Sequence, residues 1–263
     1  MVDIYYALQT CDNKSWQGSE RYAGNKTEIV KKCVTSFLKS VQFCAKIREE
    51  SNHRIAILDD NSEKETLEFL HKCKENFSSH NISISIENLS ESGVMESIKR
   101  CYQKMEDNGK DLVMQVQDDY LFTETAIFEM IDVFMQLRKD VNTESIVLSF
   151  HDHRYWKTIY RYKVTPRMIF PAAYQNWMQC YDIPCTFLTS KQQFSKHWDL
   201  YYKFFSLLGN SRLEADSLNK ILVERGVLAV QPFTSVALHM QDESWKDPYI
   251  DWKRLWDKQI IDL

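Results

Sequence analysis

The chain has 263 residues, of which 44% are hydrophobic and 27% are charged, and its formal net charge at pH 7 is -4. This length and composition are typical of one large globular domain with a full apolar core, and they exclude a disordered chain. A negative net charge gives no long-range attraction for nucleic acid or for an anionic membrane, so we expect neither as a partner.

The first half of the chain alternates strand patterns with helix patterns. Short apolar runs predict strands at Ile4–Gln9, Arg54–Leu58, Ile82–Ile86 and Leu112–Val116. Apolar residues at helical spacing predict helices over 27–50 and 90–105, one that begins at Ser62 as N-cap, and one that Thr123 opens. This order predicts right-handed crossovers and an α/β fold with a mixed, mainly parallel sheet flanked by helices.

The second half has a more mixed pattern. Aromatic-rich runs predict strands at Ile146–Phe150 and Thr158–Val164, and the apolar run Val236–His239 predicts a last strand. Residues 248–263 carry apolar side chains at helical spacing, which predicts a terminal amphipathic helix laid on the body of the protein. No linker or internal repeat divides the chain, so we predict a single domain over residues 1–263.

The N-terminus and the cysteines predict the cellular compartment. Residues 1–6 lead directly into an apolar strand, without the basic and apolar segments of a secretory signal. No stretch approaches the roughly 18 consecutive apolar residues that span a bilayer. The seven cysteines are scattered, odd in number and without a CxxC pair, so we expect reduced thiols. These features predict a cytoplasmic protein without a transmembrane segment.

The carboxyl ends of three predicted strands carry polar residues. In open parallel sheets, ligands bind beyond the carboxyl ends of the strands, so these side chains are expected to line one site. Two adjacent carboxylates are costly unless a cation neutralises them, and their hard oxygens suit Mg²⁺ or Mn²⁺. The alternative is that they form turns or cap helices. The residues concerned are Thr10, Asp12, Asp59, Asp60, Asp118 and Asp119.

Two of these strand ends resemble motifs of the family 2 glycosyltransferases and their GT-A relatives. The run Ile57–Ser62 resembles the second-strand motif, in which an Asp faces the nucleotide base, and Val116–Tyr120 resembles the Asp-x-Asp metal motif. Gln117 stands in the place of the first Asp of that motif. The resemblance extends over about the first 125 residues, and it implies a GT-A-like, Rossmann-like fold. Residues 1–125 would then bind the nucleotide sugar, and residues 126–263 would form the acceptor side.

The resemblance implies a set of binding residues. Asp59 or Asp60 would meet the base, with Thr10 nearby, and Asp118 would lie near the ribose or the sugar. Gly93 lies where the family has a glycine-rich segment that opens a helix; an ordinary helix N-terminus is the alternative. Arg212 is a candidate partner for the diphosphate, because a guanidinium binds phosphate oxygens in pairs. The expected nucleotide-sugar-binding residues are Thr10, Asp12, Asp59, Asp60, Gly93, Asp118 and Arg212, and the expected metal ligands are Asp119 and His239.

Two later carboxylates are candidates for the catalytic base. In the resembled family an acidic motif at this stage of the chain deprotonates the acceptor hydroxyl, which requires hydrogen-bond reach. We assign this role to Asp216, with Glu214 as the alternative. Both residues could instead stabilise the start of a helix through its dipole.

The resulting prediction is a metal-dependent glycosyltransferase. It would move a hexose-type sugar from a nucleoside diphosphate sugar, UDP-sugars being favoured, to a carbohydrate or other hydroxyl acceptor, with Mn²⁺ or Mg²⁺ and with inversion. The alternative is a non-catalytic protein of the same fold that binds a nucleotide sugar or a carbohydrate, since Gln117 replaces an acidic residue of the motif. A sugar nucleotidyltransferase is disfavoured, because we find no glycine-rich, arginine-containing loop after the first strand.

Overall fold

Strands and helices alternate along the first half of the protein, as the sequence predicts. The computed structural model describes residues 1–12, 25–90, 93–149, 167–183, 186–206, 216–240 and 247–259. The strands of the first half are β1 (Asp3–Thr10), β2 (Asn52–Asp59), β3 (Ile82–Asn88), β4 (Leu112–Gln117) and β5 (Tyr120–Phe122). The helices of the first half are α1 (Lys26–Ile47), α2 (Lys64–Phe77), α3 (Val94–Asn108) and α4 (Ala126–Asp140).

The second half contributes further strands and mostly short helices. Its strands are β6 (Ser145–Leu148), β7 (Ile169–Pro171), β8 (Asn176–Cys180), β9 (Phe187–Ser190), β10 (Leu228–Pro232) and β11 (Ala237–His239). Its helices are α5 (Lys191–Lys196), α6 (Trp198–Ser206), α7 (Asn219–Val223) and α8 (Trp252–Asp257). The predicted strand Thr158–Val164 lies outside the described residues. The terminal helix is shorter than predicted and begins after Asp251, whose carboxylate accepts from the Arg254 backbone N–H at 3.0 Å.

The described strands form one nine-stranded sheet and a separate two-stranded sheet of β5 and β11. The order in the large sheet is β3-β2-β1-β4-β9-β6-β10-β8-β7. Only β9 and β8 run opposite to the other strands. The predicted class, a mixed and mainly parallel sheet flanked by helices, is therefore confirmed. The parallel pairing of β1 with both β2 and β4 brings the carboxyl ends of these three strands to one edge.

Apolar side chains fill both faces of the large sheet, because successive residues of a strand point to opposite sides. Ile4, Tyr6 and Leu8 of β1 pack with α1, α2 and α4, whereas Tyr5 and Ala7 pack with α3, α5, α6 and α7. A third, smaller cluster joins α1 to β5, β11 and the C-terminal segment; it contains Ile29, Cys33, Leu121, Leu238, Met240 and Trp252. This third cluster packs the two-stranded sheet against α1 and the C-terminal segment.

The start of α2 differs from the sequence-based prediction. Ser62 does not cap the helix: α2 begins at Lys64, and Ser62 Oγ instead accepts from the Asp12 backbone N–H at 3.1 Å. Glu65, three residues after Ser62, pairs with Lys31 of α1. Asp12, which lies 51 residues earlier in the sequence, caps the helix instead: its carboxylate accepts from the Glu63 backbone N–H at 2.8 Å. Local sequence could not predict this contact.

The described residues contain no disulfide and no helix suited to cross a membrane. The six cysteines in this part of the chain are all free thiols, and all but Cys11 are buried. In the same residues, no helix combines the length and apolar character that crossing a membrane requires.

Candidate functional site

Register and hydrogen bonds join the carboxyl ends of β1 and β2. Thr10 pairs with Asp59 in the sheet, and the Thr10 hydroxyl donates to Asp59 Oδ1 at 2.8 Å. The Asp60 backbone N–H donates to the Thr10 carbonyl at 2.8 Å. Thr10 and Asp59 are fully buried. Three of the predicted nucleotide-sugar-binding residues therefore form one rigid unit at the edge of the sheet.

The turn after β2 connects this unit to the start of α3. Asp59 Oδ2 accepts from the Ser62 backbone N–H at 2.9 Å, which closes the turn. Asp60 Oδ2 accepts from the Gly93 backbone N–H at 2.8 Å and from the Ser97 hydroxyl at 3.1 Å. Gly93 has a φ of 126°, a conformation that favours glycine. Asp60 and Gly93, predicted as separate binding residues, therefore contact each other directly.

Asp12 is fully buried, and its carboxylate has partners from two helices. Oδ1 accepts from the Glu63 backbone N–H, and Oδ2 accepts from the hydroxyls of Thr66 and of Thr27. These bonds hold the N-terminal ends of α1 and α2 together beside the site. The contacts give Asp12 a structural task, whereas its predicted contact with a nucleotide sugar stays a prediction.

Asp118 is the first carboxylate of the turn between β4 and β5. Its Oδ1 lies 2.6 Å from Lys26 Nζ, and its Oδ2 accepts from the Cys11 backbone N–H at 2.7 Å. Burial raises the pKa of Asp118; the Lys26 ammonium opposes this effect, and the charge of Asp119 adds to it. Lys26 was not among the predicted site residues, because its only local signal is a cation at the first position of a helix.

Asp119 and His239 come together although they lie 120 residues apart in the sequence. The antiparallel pairing of β5 and β11 places His239 opposite Tyr120, and the Met240 backbone N–H donates to the Asp119 carbonyl at 2.8 Å. His239 Nε2 then lies 3.3 Å from Asp119 Oδ2. The imidazole stacks on the Tyr120 ring with centroids 4.6 Å apart. Both predicted metal ligands are thus adjacent, buried and held by backbone pairing.

The geometry of this pair fits a divalent cation. Two ligands at right angles in an octahedral shell, each about 2.1 Å from the ion, lie about 3 Å apart. The observed separation of 3.3 Å is slightly longer than this value, and it is at the same time a hydrogen-bond distance between the imidazole and the carboxylate. A carboxylate oxygen is a ligand type that suits Mg²⁺ and Mn²⁺, whereas an imidazole nitrogen is more usual on later transition metals. Among the described residues, no group of three or more His, Cys, Asp or Glu side chains could hold a metal by itself.

The predicted catalytic base lies at the start of α7. Asp216 is half-buried in the turn that leads into this helix. The first residue of α7, Asn219, accepts from the Ile183 backbone N–H at 2.8 Å and donates to Asp182 at 2.5 Å. Glu214 and Arg212 lie outside the described residues. The roles of Asp216, Glu214 and Arg212 therefore stay predictions.

Thr186 has an unusual backbone conformation beside the end of β4, which leads into the turn with Asp118 and Asp119. Its φ is 75°, which is rare for a β-branched residue, and its side chain is fully buried. The Thr186 backbone N–H donates to Gln115 Oε1 at 2.5 Å, and the Gln117 backbone N–H donates to the Thr186 hydroxyl at 3.2 Å. This residue therefore connects the end of β4 to the segment that precedes β9. Nothing in the local sequence predicts a positive φ at a threonine.

Comparison with known proteins identifies the fold. No family model matches the sequence, and no curated protein matches it significantly. A UDP-glucose pyrophosphorylase from Acinetobacter baumanii is 9% identical with a TM-score of 0.50, covering 98% of this chain and 92% of that chain. The chain has the fold of this enzyme. A UDP-glucose pyrophosphorylase complexed with UDP-glucose agrees, at 9% identity and a TM-score of 0.51, covering 93% and 96% of the two chains.

A third solved structure is similar over much of its length. It is a putative nucleotide-diphospho-sugar transferase from Desulfovibrio desulfuricans, with 12% identity, a TM-score of 0.45 and coverage of 88% of this chain and 80% of that chain. The two pyrophosphorylases, with TM-scores of 0.50 and 0.51, establish the fold. Membership of glycosyltransferase family 2 stays a prediction.

Proposed function

We propose that this chain is a metal-dependent glycosyltransferase that uses a nucleoside diphosphate sugar, with UDP-sugars favoured, and a hydroxyl acceptor. The observation that carries the proposal is the pair Asp119–His239, which backbone pairing holds at 3.3 Å beside the carboxyl ends of β1, β2 and β4. A buried carboxylate and imidazole in this position suit a cation that a diphosphate also binds.

The donor would lie across the edge formed by Thr10, Asp59 and Asp60. These residues are joined to each other and to the start of α3, so the loops around the donor are fixed before binding. A site of this kind loses little conformational entropy when the ligand binds. Asp118, which forms an ion pair with Lys26 and accepts a hydrogen bond from the Cys11 backbone N–H, would lie nearer the ribose or the sugar.

Asp119 and His239 would hold Mn²⁺ or Mg²⁺. Two protein ligands leave coordination positions for diphosphate oxygens and water, as is usual for Mg²⁺ at phosphate sites. The chemistry that such an ion supplies when bound is neutralisation of the charge on the departing diphosphate.

Asp216, with Glu214 as the alternative, would act as the general base. The carboxylate accepts the proton of the acceptor hydroxyl while the acceptor oxygen forms its bond to the anomeric carbon. The bond from that carbon to the diphosphate oxygen breaks, and its electron pair leaves with the nucleoside diphosphate. Attack from the opposite face inverts the anomeric configuration.

A sugar nucleotidyltransferase is the second candidate. The observation in its favour is that two solved structures with the same fold are UDP-glucose pyrophosphorylases by name. The two reactions differ in the bond that breaks: glycosyl transfer releases UDP, whereas pyrophosphorolysis of the same donor forms UTP from added pyrophosphate. Analysis of the nucleotide products therefore separates them.

The first experiment is a thermal-stability panel of nucleoside diphosphate sugars with Mn²⁺, with Mg²⁺ and with chelator. A ligand that binds only the folded protein at a hundred times its Kd adds about 2.7 kcal/mol of stability. We expect a metal-dependent shift with one donor that Asp119→Ala abolishes. Asp199→Ala is the matched control, since Asp199 is an exposed carboxylate paired with Arg225.

The products of a donor that binds then decide between the candidates. Release of UDP, slow with water and faster with acceptor, supports the glycosyltransferase. UTP formation with pyrophosphate supports the nucleotidyltransferase, and binding without turnover supports the non-catalytic alternative. The absence of a shift with every donor, with and without metal, would refute the donor site.

A further inference from the structure

A very small sheet carries Asp119 and His239. β5 and β11 have three residues each and pair antiparallel. Asp119 immediately precedes β5, and His239 is the last residue of β11. A pair of strands by itself is only marginally stable in water, so it needs packing against other elements. The geometry of the pair therefore depends on what packs against this sheet.

The two ends of β11 are held in different ways. At its start, two backbone N–H groups donate to the Ser149 carbonyl, at 3.0 and 2.8 Å. At its end, the Met240 backbone N–H donates to the Asp119 carbonyl, so this bond lies within the short sheet itself. The side chains of Leu238 and Met240, on either side of His239, are buried in the third apolar cluster. Packing in this cluster therefore supports the end of the strand that carries the imidazole.

Trp252 is the largest buried side chain of the third cluster. It is 2% exposed, and it belongs to the C-terminal segment, residues 247–259. Its indole N–H donates to the Asp247 carbonyl at 3.1 Å, which fixes the orientation of the ring. The partly buried side chains of Ile250, Leu255 and Trp256 from the same segment also pack against the cluster.

Asp247 joins the same segment to the residues before β11. Its side chain is 1% exposed, and Oδ2 accepts from the Ser235 backbone N–H at 2.6 Å. The other oxygen, Oδ1, accepts from the Tyr249 backbone N–H at 2.9 Å. Hydrogen bonds to an ionised carboxylate are stronger than those between neutral groups. The segment is thus anchored on both sides of His239, by a hydrogen bond before β11 and by apolar packing at its end.

We infer that the C-terminal segment, through Trp252, positions His239 against Asp119. The inference rests on the proposed function only in taking this pair as part of the donor site. Removal of the indole leaves a cavity beside the short sheet, which would then open locally while the nine-stranded sheet stays folded. Trp252 is accordingly a positioning residue, because it acts on the site through β11.

The experiment is amide hydrogen exchange of the protein without ligand or metal, followed residue by residue by NMR. The Met240 N–H reports the pairing directly, because it donates to the Asp119 carbonyl at 2.8 Å. The amides of β1 report unfolding of the whole protein, because this strand is paired on both sides. We expect Trp252→Ala to accelerate exchange at Met240 at least about tenfold more than exchange in β1.

Two further variants serve as controls. Trp198→Ala removes a half-buried tryptophan that packs on the other face of the large sheet from α1. It should change exchange at Met240 and in β1 by the same factor. Trp252→Phe keeps an apolar ring but loses the indole N–H, so exchange at Met240 should lie between the rates of the unchanged protein and of Trp252→Ala.

The ratio of the two exchange rates decides the outcome. A tryptophan that only stabilises the whole fold would accelerate exchange equally at Met240 and in β1. An acceleration at Met240 that is equal to or smaller than the one in β1 would therefore overturn the inference. Should Trp252→Ala not fold, Asp247→Ala decides by the same comparison, because it removes the acceptor of the Ser235 N–H.

Donor binding gives a second test. Where a donor stabilises the protein, Trp252→Ala should bind it more weakly, whereas Trp198→Ala should bind it like the unchanged protein. Unchanged donor affinity in a folded Trp252→Ala protein would overturn the inference.

The exchange measurement is separate from the test of the proposed function, because it needs no ligand. Faster exchange confined to Met240, together with no response to any nucleotide sugar, would keep this inference and refute the proposed function. Donor binding together with uniform exchange in Trp252→Ala would do the reverse.

Discussion

The contacts of Asp12 predict a large loss of stability when its carboxylate is removed. Asp12 is fully buried and accepts hydrogen bonds from the Glu63 backbone N–H at 2.8 Å and from the Thr66 and Thr27 hydroxyls. Asp12→Ala removes the cap of α2 and leaves the buried Thr66 hydroxyl without its acceptor. Loss of the cap costs about 1 kcal/mol, and an unsatisfied buried donor costs about 1–3 kcal/mol. We therefore expect the free energy of unfolding to fall by about 3 kcal/mol.

The measurement is urea denaturation of the unchanged protein, Asp12→Ala and Asp12→Asn. Asparagine keeps an oxygen that can accept from the Glu63 N–H, so Asp12→Asn should lose only about 1 kcal/mol. A change of less than about 0.5 kcal/mol in Asp12→Ala, the usual effect of a surface substitution, would contradict a structural role for this carboxylate. Loss of donor binding without loss of stability would instead make Asp12 a direct binding residue.

Three further predictions concern buried or strained positions. Burial lowers the pKa of His53 to about 4, so the contribution of neutral His53 to the free energy of unfolding should be fully present above pH 6.5. Between pH 6.5 and 4 the free energy of unfolding should fall by about 1.4 kcal/mol for each pH unit, because the unfolded chain binds a proton that the folded protein does not. Urea denaturation at each pH should show a smaller slope for His53→Gln. Gly93→Ala should cost about 1–3 kcal/mol, because φ is 126°, and thermal denaturation would measure it. Thr186→Gly should be more stable than Thr186→Ala by about 1 kcal/mol in the same assay, because φ is 75°; the opposite order would contradict the strain.

Local patterns were sufficient to predict β1 to β4 and the helices of the first half, whereas β5 was not predicted. Ile82, Ile84 and Ile86 alternate with serines, and β3 covers Ile82–Asn88; the apolar run after Asp111 became β4. A strand or helix that buries one face requires this spacing of apolar residues, so the pattern is visible without any knowledge of contacts. The same alternation predicted the mainly parallel sheet, and the order of the strand ends pointed to the edge where the candidate site lies.

Contacts between distant residues were beyond such patterns. Capping of α2 by Asp12 in place of Ser62 depends on a contact across 51 residues, and the pair Lys26–Asp118 depends on one across 92. His239 was named through a family resemblance, yet its position 3.3 Å from Asp119 follows from the pairing of β11 with β5. The spacing of apolar residues shows which face of a helix or strand is buried. The partner of a buried charge depends instead on how the whole chain packs.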